Sequence, residues 1–238
     1  MLFRSPNLVV ALGGTATWGL LGSIGIGSIR GSCAPSSLVP GLKVLPTYHP
    51  AGVLYNWSVR STVVADFVKA KNERLHSDIV RPARQITVAP TMDFLDGMVP
   101  HVLANAKMLA IDLETMKGQI RCVGVAWARN EALVIPFIRD LSGASYWPDE
   151  EQELRAWSHV RALCESSLPK LFQNGLFDLQ YLTRAGITVS NCSHDTMLLH
   201  HVMYPELPKG LGFLGSIYTN EQSWKLMRRH GEELKRDE

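Results

Sequence analysis

The sequence lacks closely spaced cysteines. Its four cysteines form no C-x-x-C pair; they are Cys33, Cys122, Cys164 and Cys192. Isolated thiols argue against a disulfide framework and against a structural zinc site, since both need grouped cysteines. The sequence also has no internal repeat and no low-complexity tract. We therefore expect reduced thiols and a cytoplasmic location.

The sequence also has no strong excess of either charge. Lys and Arg together number 24 and Asp and Glu 22, which leaves a net charge of +2. This balance neither requires nor excludes a nucleic-acid partner. Apolar residues make up 46% of the chain and charged residues 19%, proportions that are typical of a globular protein and argue against wholesale disorder.

Charge is absent between residues 5 and 29, as it would be in a signal peptide or a membrane span. Six glycines interrupt this segment, however, and no small-residue cleavage site follows an apolar core. We interpret Leu8–Leu12 as a buried strand and Gly13-Gly14 as the tight turn into a helix. The pattern favours this interpretation over a membrane segment, and we expect no membrane partner.

Strand and helix signals alternate in the first part of the chain. A second strand is predicted at Lys43–Leu45, and an amphipathic helix follows that ends near Ser77. Two strands and two helices are too few for an independent core. We therefore expect residues 1–85 to be part of an α/β/α domain, and the proline-containing residues 86–104 to be a connector.

Residues 105–238 are predicted to form a mixed α/β domain. Three apolar runs separated by short turns predict an antiparallel meander; the runs are Met108–Glu114, Ile120–Ala128 and Ala132–Phe137. A helix, a short strand and a second helix are predicted to follow, at Asp149–Cys164, Lys170–Gln173 and Phe177–Ala185. The prediction is therefore a mixed sheet with flanking helices.

Two carboxylates lie at the end of the first of these strands, in the run I-D-L-E-T. Asp112 and Glu114 are two residues apart, so they point to the same face of a strand. Two such carboxylates repel each other unless a cation neutralises them, and oxygen ligands suit Mg²⁺ or Mn²⁺. The alternative is a solvated acidic pair, because D-x-E also occurs by chance.

A third carboxylate follows in the run N-G-L-F-D-L-Q-Y-L. Asp178 is predicted on the first turn of a helix, directly after a strand that ends at Asn174-Gly175. Three carboxylates from two elements could hold two metal ions about 3.5–4 Å apart, an arrangement suited to phosphodiester hydrolysis. Alternatively, Asp178 is only an acid favoured by the helix dipole.

These stretches resemble motifs of the DEDD-type 3′–5′ exonucleases, which have an RNase H-like fold. I-D-L-E-T is similar to their first motif and N-G-L-F-D-L-Q-Y-L to their second. D-T-M-L-L-H-H-V-M-Y-P-E-L-P-K-G-L-G-F-L resembles the proofreading domain of phage-like family A DNA polymerases. The resemblance implies Asp112, Glu114 and Asp178 as metal ligands and Glu114 as the residue that orients water. It also implies Thr115 and Asn174 as substrate-binding residues.

The sequence departs from this family in its third motif. That motif supplies a fourth carboxylate, an Asp four residues after a Tyr or five after a His. Nothing after Trp224 fits, and Asp237 has no Tyr at the required distance. Asp195 comes too early, and its position before an apolar run predicts a helix N-cap. We therefore expect a domain that lacks its last motif, with weaker metal affinity and reduced activity.

A second resemblance lies in the N-terminal segment. V-V-A-L-G-G-T-A, I-R-G-S and P-T-Y-H-P-A-G-V-L are similar to the C-terminal part of the iron–sulfur uracil-DNA glycosylases. This resemblance implies that His49 faces a flipped base; alternatively, His49 is packed in a Pro-rich turn. The family's catalytic carboxylate motif and cluster cysteines have no counterpart here, so we expect no uracil excision.

The sequence as a whole predicts an exonuclease acting in DNA replication or repair, in a bacterial or phage-infected cell. We expect its substrate to be a single-stranded DNA 3′ end and its cofactor to be Mg²⁺ or Mn²⁺ in a two-metal site. We expect its partner to be a polymerase domain missing from this chain. Two alternatives remain open. One is a non-catalytic nucleic-acid-binding fragment, and the other is a glycosylase-like base-recognition module.

Overall fold

The computed structural model describes residues 6–221. These residues divide into two compact units, one lying within Met1–Arg81 and His201–Glu238 and the other comprising Pro82–His200. Each unit contains a β-sheet. None of the helices within residues 6–221 is long and apolar enough to span a membrane.

The first unit contains a three-stranded sheet with the order β1-β3-β2. Its strands are β1 (Val9–Leu12), β2 (Ala34–Pro35) and β3 (Lys43–Thr47). β1 and β3 are parallel, and every residue of β3 is buried because this strand lies between the other two. The helices in this part of the chain are α1 (Gly13–Leu21), α2 (Ile26–Ile29), α3 (Pro50–Tyr55) and α4 (Arg60–Glu73). The two predicted strands and the presence of a helix after them are confirmed. The predicted amphipathic pattern of that helix is wrong, because Val64, Phe67 and Val68 are exposed whereas Asp66 is buried.

A buried ion pair joins α4 to this sheet. The carboxylate of Asp66 is fully buried and accepts hydrogen bonds from Arg30 Nε at 2.9 Å and from Thr47 Oγ1 at 2.6 Å. A buried charge is costly unless it is paired and hydrogen-bonded. The three side chains together therefore specify how α4 packs on β3.

The second unit contains a six-stranded mixed sheet with the order β4-β7-β6-β5-β8-β9. Its strands are β4 (Gln85–Thr87), β5 (Leu109–Met116), β6 (Gln119–Ala126), β7 (Glu131–Pro136), β8 (Lys170–Phe172) and β9 (Cys192–Asp195). Its helices are α5 (Met92–Asn105), α6 (Glu150–Glu165) and α7 (Leu176–Arg184), and α8 (Thr196–Met203) begins in it. β5, β6 and β7 are antiparallel, whereas β8 pairs parallel with β5. The predicted mixed α/β class, with its meander and flanking helices, is confirmed.

The expected connector at residues 86–104 requires a correction, because most of it is the helix α5. Thr91 caps this helix by accepting a hydrogen bond from the Phe94 backbone N–H at 3.2 Å. Its buried residues recur at helical spacing; they are Met92, Leu95, Val99 and Val102. Pro100, one of the prolines on which the expectation of a connector rested, lies inside the helix. The apolar spacing and the threonine cap outweigh that single proline.

The helix α9 (Leu211–Tyr218) belongs to the first unit, although it comes late in the sequence. Lys69 on α4 holds its C-terminal end. The Lys69 ammonium donates to the carbonyl oxygens of Gly31 at 2.7 Å and Ser216 at 2.6 Å, and also to that of Thr219. A cation at a helix C-terminus satisfies carbonyl groups that have no partner within the helix. Lys69 therefore links α9 to the N-terminal part of the chain.

Candidate active site

The strand β5 presents two acidic side chains on one face of the sheet. Leu113 is buried, whereas Asp112 and Glu114 on either side of it are exposed. This alternation follows from the two-residue period of a strand. The β5–β6 register shifts between Glu114 and Thr115, so the pairing is irregular directly after the second acid. The predicted placement of Asp112 and Glu114 on one face is confirmed.

Asp178 joins this strand from a different element. It lies on the first turn of α7 and is 4% exposed. Its Oδ1 accepts a hydrogen bond from the Leu113 backbone N–H at 3.0 Å. Leu113 is the residue between the two acids of β5. The third predicted carboxylate is therefore attached to β5 between Asp112 and Glu114.

The chain can place Asp178 there because β8 returns beside β5. Leu109 pairs with Lys170 and Ala110 with Leu171, and the two strands run parallel. β8 is short and ends at Phe172, whereas β5 extends to Met116. The chain therefore enters α7 before it reaches the end of β5. The beginning of α7 thus lies beside the acidic end of β5. The short strand predicted at Lys170–Gln173 is confirmed.

The electrostatic setting of Asp178 disfavours its charged form. Burial raises the pKa of its carboxyl to about 6; the Leu113 N–H lowers it, while the negative charges of Asp112 and Asp195 raise it. A bound cation would relieve both the burial and the repulsion. The donor set, three carboxylates from two elements, consists of the oxygen ligands that Mg²⁺ and Mn²⁺ prefer.

The carboxylates of the described residues do not form a complete metal-binding site. Within residues 6–221, no group of three or more His, Cys, Asp or Glu side chains is arranged closely enough to hold a metal ion. The predicted absence of a fourth carboxylate after Trp224 stays a prediction, because that stretch, including Asp237, lies outside the described residues. The three acids are thus suitable as metal ligands, but in this structure their side chains are not close enough together to bind one metal ion.

The turn before α7 is tightly constrained. Asn174 is exposed and adopts a left-handed conformation, with φ of 59°. A Cβ on Gly175 would lie 2.5 Å from Phe172 Cβ, so no larger residue fits without movement. The side chain of Asp195, at the end of β9, caps α8 by accepting from the Met197 N–H at 2.8 Å. The N-cap predicted at Asp195 is confirmed.

Two predicted substrate-binding residues lie in different settings. Thr115 is half-buried and directly follows Glu114 on β5. His49 lies in the first unit, where it is exposed and caps α3 by accepting at Nδ1 from the Ala51 N–H at 3.1 Å. It also lies beside Gly13, whose added Cβ would be 3.1 Å from His49 Cβ. Thr115 therefore lies on the strand that carries the acids, whereas His49 belongs to the other unit.

A cavity in the second unit was not anticipated from the sequence. Its volume is about 450 Å³, and its lining includes Phe137, Trp157, Tyr181 and Arg184. The rings of Phe137 and Trp157 stack with centroids 3.7 Å apart. Tyr181 lies on α7, three residues after Asp178. Phe137 directly follows β7, Trp157 lies on α6, and Tyr181 and Arg184 lie on α7, so residues far apart in the sequence form the cavity.

A comparison with protein families decides the assignment. The model of the 3′–5′ exonuclease family matches residues 97–227, which is more than half of the chain. The chain belongs to the 3′–5′ exonuclease family. This match covers the acidic strand, the turn at Asn174 and Asp178, and it confirms the resemblance to 3′–5′ exonucleases. A comparison with curated proteins gives no match.

Several solved structures are similar to this exonuclease-family chain. RNase D of Escherichia coli, an exoribonuclease involved in structured RNA processing, is 16% identical, with a TM-score of 0.39 over 59% of this chain and 34% of RNase D. The EXD2 exonuclease domain soaked in Mn and GMP is 16% identical, with a TM-score of 0.38 over 56% of this chain and 68% of that domain. Brucella melitensis NrnC with bound Mg²⁺ is 19% identical, with a TM-score of 0.37 over 56% of this chain and 59% of NrnC. The matched part of the chain thus spans about a third of the length of RNase D.

Proposed function

We propose that this chain is a 3′–5′ exonuclease that uses Mg²⁺ or Mn²⁺ to remove nucleotides from single-stranded DNA 3′ ends. The observation that carries the proposal is the hydrogen bond from the Leu113 N–H to Asp178. It places a buried acid of α7 against the strand segment that bears Asp112 and Glu114. Membership of the exonuclease family supports the same conclusion.

The carboxylates have separate roles in this proposal. Asp112, Glu114 and Asp178 are the metal ligands, and bound divalent ions would activate water and stabilise the leaving 3′ oxygen. Glu114, which is exposed on the same face as Asp112, accepts a hydrogen bond from the attacking water and so orients it. The water oxygen forms a bond to phosphorus, and the bond from phosphorus to the 3′ oxygen breaks. The products are a nucleoside 5′-monophosphate and a shorter strand with a 3′-hydroxyl.

The substrate strand is held near these acids. Asn174 is exposed at the turn before α7, and Thr115 follows Glu114, so both can donate hydrogen bonds to the terminal nucleotides. Tyr181 offers an aromatic side chain on the same helix as Asp178. Base stacking and backbone contacts of this kind bind single strands with little sequence preference. We accordingly propose binding that is independent of sequence.

DNA, rather than RNA, is the proposed substrate because the stretch after Asp195 resembles the proofreading domains of phage-like DNA polymerases. The same resemblance supports a role in replication or repair in the cytoplasm of a bacterial or phage-infected cell, with a polymerase domain as partner. Degradation rates of single-stranded DNA and RNA of identical sequence test the substrate directly. Faster degradation of the RNA would overturn this part of the proposal.

A second candidate function is base recognition by the first unit. The observation that favours it is the position of His49, which is exposed beside Gly13 at the carboxyl ends of the parallel strands β1 and β3. Ligands of α/β proteins commonly bind at that edge of a sheet. Binding of a uracil-containing oligonucleotide, compared with its thymine counterpart and with His49→Ala, tests this candidate. Equal binding by both proteins to both oligonucleotides would exclude it.

The nuclease proposal is tested with a 3′-labelled single-stranded oligonucleotide in Mg²⁺ or Mn²⁺. The natural chain should release labelled mononucleotides, whereas Asp112→Ala should not. Glu151→Ala, which removes an exposed acid from the first turn of α6, is the matched control and should leave release unchanged. Equal release by Asp112→Ala and the natural chain would refute the proposal. Binding of DNA without release by any of the three proteins would favour a non-catalytic module.

A further inference from the structure

The carboxylate of Asp195 binds two separate parts of the backbone. It accepts hydrogen bonds from Met197 N at 2.8 Å and Leu198 N at 3.3 Å, which cap α8. It also accepts from Asn174 N at 3.1 Å and Gly175 N at 2.8 Å, in the turn that precedes α7. A helix cap requires only the first pair. The second pair is therefore an additional function of this side chain.

The turn held by Asp195 needs external support. Asn174 has a positive φ, a left-handed conformation that Asn adopts more readily than most residues with a side chain but less readily than glycine. Gly175 packs against Phe172 too closely to accept a Cβ. Gly175 has no side chain, so it provides α7 with no side-chain cap of its own. The two hydrogen bonds to Asp195 supply the stabilisation that the local sequence does not.

The neighbour of Asp195 reinforces the same connection. Thr196 Oγ1 donates to the Phe172 carbonyl oxygen at 3.2 Å and also contacts Gln173 Oε1. Phe172 is the last residue of β8, and Phe172 also pairs with Asp195 in the parallel β8–β9 ladder. The start of α8 therefore holds the whole β8–α7 connection, from Phe172 to Gly175.

Asp178 lies three residues after Gly175, less than one helical turn away. The orientation of the turn consequently determines the direction in which Asp178 points. We propose that Asp195 is a positioning residue of the exonuclease site, which fixes the Asn174-Gly175 turn so that Asp178 reaches the Leu113 N–H of β5. This inference rests on the proposed function for its catalytic consequence but not for its structural one. Both Asp195 oxygens accept from backbone N–H groups, as expected of a side chain that positions the backbone around it.

The test compares Asp195→Ser with Asp149→Ser. Serine is a good N-cap, so Asp195→Ser keeps the cap of α8 but is too short to reach the Asn174-Gly175 turn as well. Asp149 is the N-cap of α6 and accepts from Gln152 N at 2.8 Å, so Asp149→Ser reports the effect of a cap change alone. Asp195→Asn, which has the same size as aspartate but places an amide where an acceptor is needed, is the second variant if Asp195→Ser does not fold.

The first measurement is amide hydrogen exchange at Leu113 in the full chain, which needs no activity. Asp195→Ser should speed exchange of the Leu113 N–H at least about tenfold, because Asp178 loses its position, whereas Asp149→Ser should not. Unchanged Leu113 exchange in both Asp195 variants would overturn the inference. Mn²⁺-dependent nucleotide release is the second measurement. The kcat should fall by roughly 10- to 100-fold in Asp195→Ser with KM for the oligonucleotide unchanged, as expected for a misplaced catalytic group.

The two measurements separate the two claims. No release by the natural chain, together with faster Leu113 exchange in Asp195→Ser, would refute the proposed function and support the positioning role. Full activity of Asp195→Ser, at a kcat equal to that of Asp149→Ser, would overturn the catalytic part of the inference. If Asp195→Ser lowered activity only by destabilising the fold, Asp149→Ser would lower activity to the same extent at the same free energy of unfolding. Asp149→Ser is therefore the control for a loss of stability.

Discussion

Asp178 and Leu113 are 65 residues apart in the sequence, and the carboxylate of the first accepts a 3.0 Å hydrogen bond from the backbone N–H of the second. Leu113 has an acid on each side, so this single bond brings a helix residue to an acidic strand. A buried carboxylate is costly unless it is hydrogen-bonded or neutralised. The Leu113 N–H provides a hydrogen bond to the carboxylate of Asp178, and a divalent cation would neutralise its charge.

Replacement of Asp178 by Asn should stabilise the metal-free protein at neutral pH. The pKa of Asp178 is raised from 3.8 to about 6 in the folded state, so folding favours the protonated form. Stability should therefore fall as the pH rises from about 4 to above 6 in the natural chain, but less so in Asp178→Asn. The expected difference at pH 8 is about 1–3 kcal/mol in favour of Asp178→Asn.

Urea unfolding at pH 4 and pH 8, with divalent ions chelated, measures this difference. Asn keeps an oxygen that can accept from the Leu113 N–H, so the substitution changes the charge more than the packing. A difference between the two proteins that is the same at both pH values would contradict the assignment of Asp178 as a buried, disfavoured carboxylate.

Gly175→Ala should destabilise the fold, whereas Gly97→Ala should stabilise it. The added Cβ at Gly175 would lie 2.5 Å from Phe172 Cβ, and such overpacking typically costs about 1–3 kcal/mol. Gly97 lies within α5 with no atom within 4 Å of an added Cβ, so alanine there should add about 0.5–1 kcal/mol. The midpoints of denaturant unfolding compare the two. Equal effects of the two substitutions would show that the turn before α7 is not tightly packed.

Lys69→Met should loosen the attachment of α9. The Lys69 ammonium donates to carbonyl oxygens at Gly31, Ser216 and Thr219, which would lose that partner. A hydrogen bond to a charged group contributes about 1.5–3 kcal/mol, so the loss should be at least of that order. Lys71→Met, which removes an exposed cation from the same helix, is the control and should change stability little. Limited proteolysis measures how firmly α9 is attached. Equally faster cleavage near α9 in Lys69→Met and in Lys71→Met would contradict the role of Lys69.

The four thiols should react with iodoacetamide in a defined order. Cys192 is exposed and should be labelled first, followed by the half-buried Cys122. Burial raises the pKa of Cys33 to about 11 and that of Cys164 to about 12, so both should remain unmodified in the folded protein at pH 8. Peptide mass spectrometry after timed labelling gives the order. Early labelling of Cys164 would show that the core beneath α6 is open.

The sequence was sufficient for those features of the site that depend on short-range periodicity. The common face of Asp112 and Glu114 follows from strand alternation, and the first-turn position of Asp178 follows from the turn at Asn174-Gly175. The family resemblance then identified the chemistry, which composition alone did not.

Other features depend on contacts that a linear pattern does not contain. Asp195 was recognisable as a cap from its neighbours, but its bonds to Asn174 and Gly175 exist only because β9 pairs with β8. The attachment of α9 through Lys69 joins residues 147 and 150 positions apart. The helix α5 was obscured by Pro100, which a local rule treats as a break. Long-range pairing and packing decided all three.

The most direct test of the account is Mn²⁺-dependent release of nucleoside 5′-monophosphates from a 3′-labelled single strand by the natural chain and by Asp178→Asn. Asp178→Asn is expected to be at least as stable as the natural chain at neutral pH, so lost activity cannot be attributed to unfolding. The account predicts release by the natural chain and a decrease of at least about 100-fold in Asp178→Asn. Equal rates for the two proteins would contradict it.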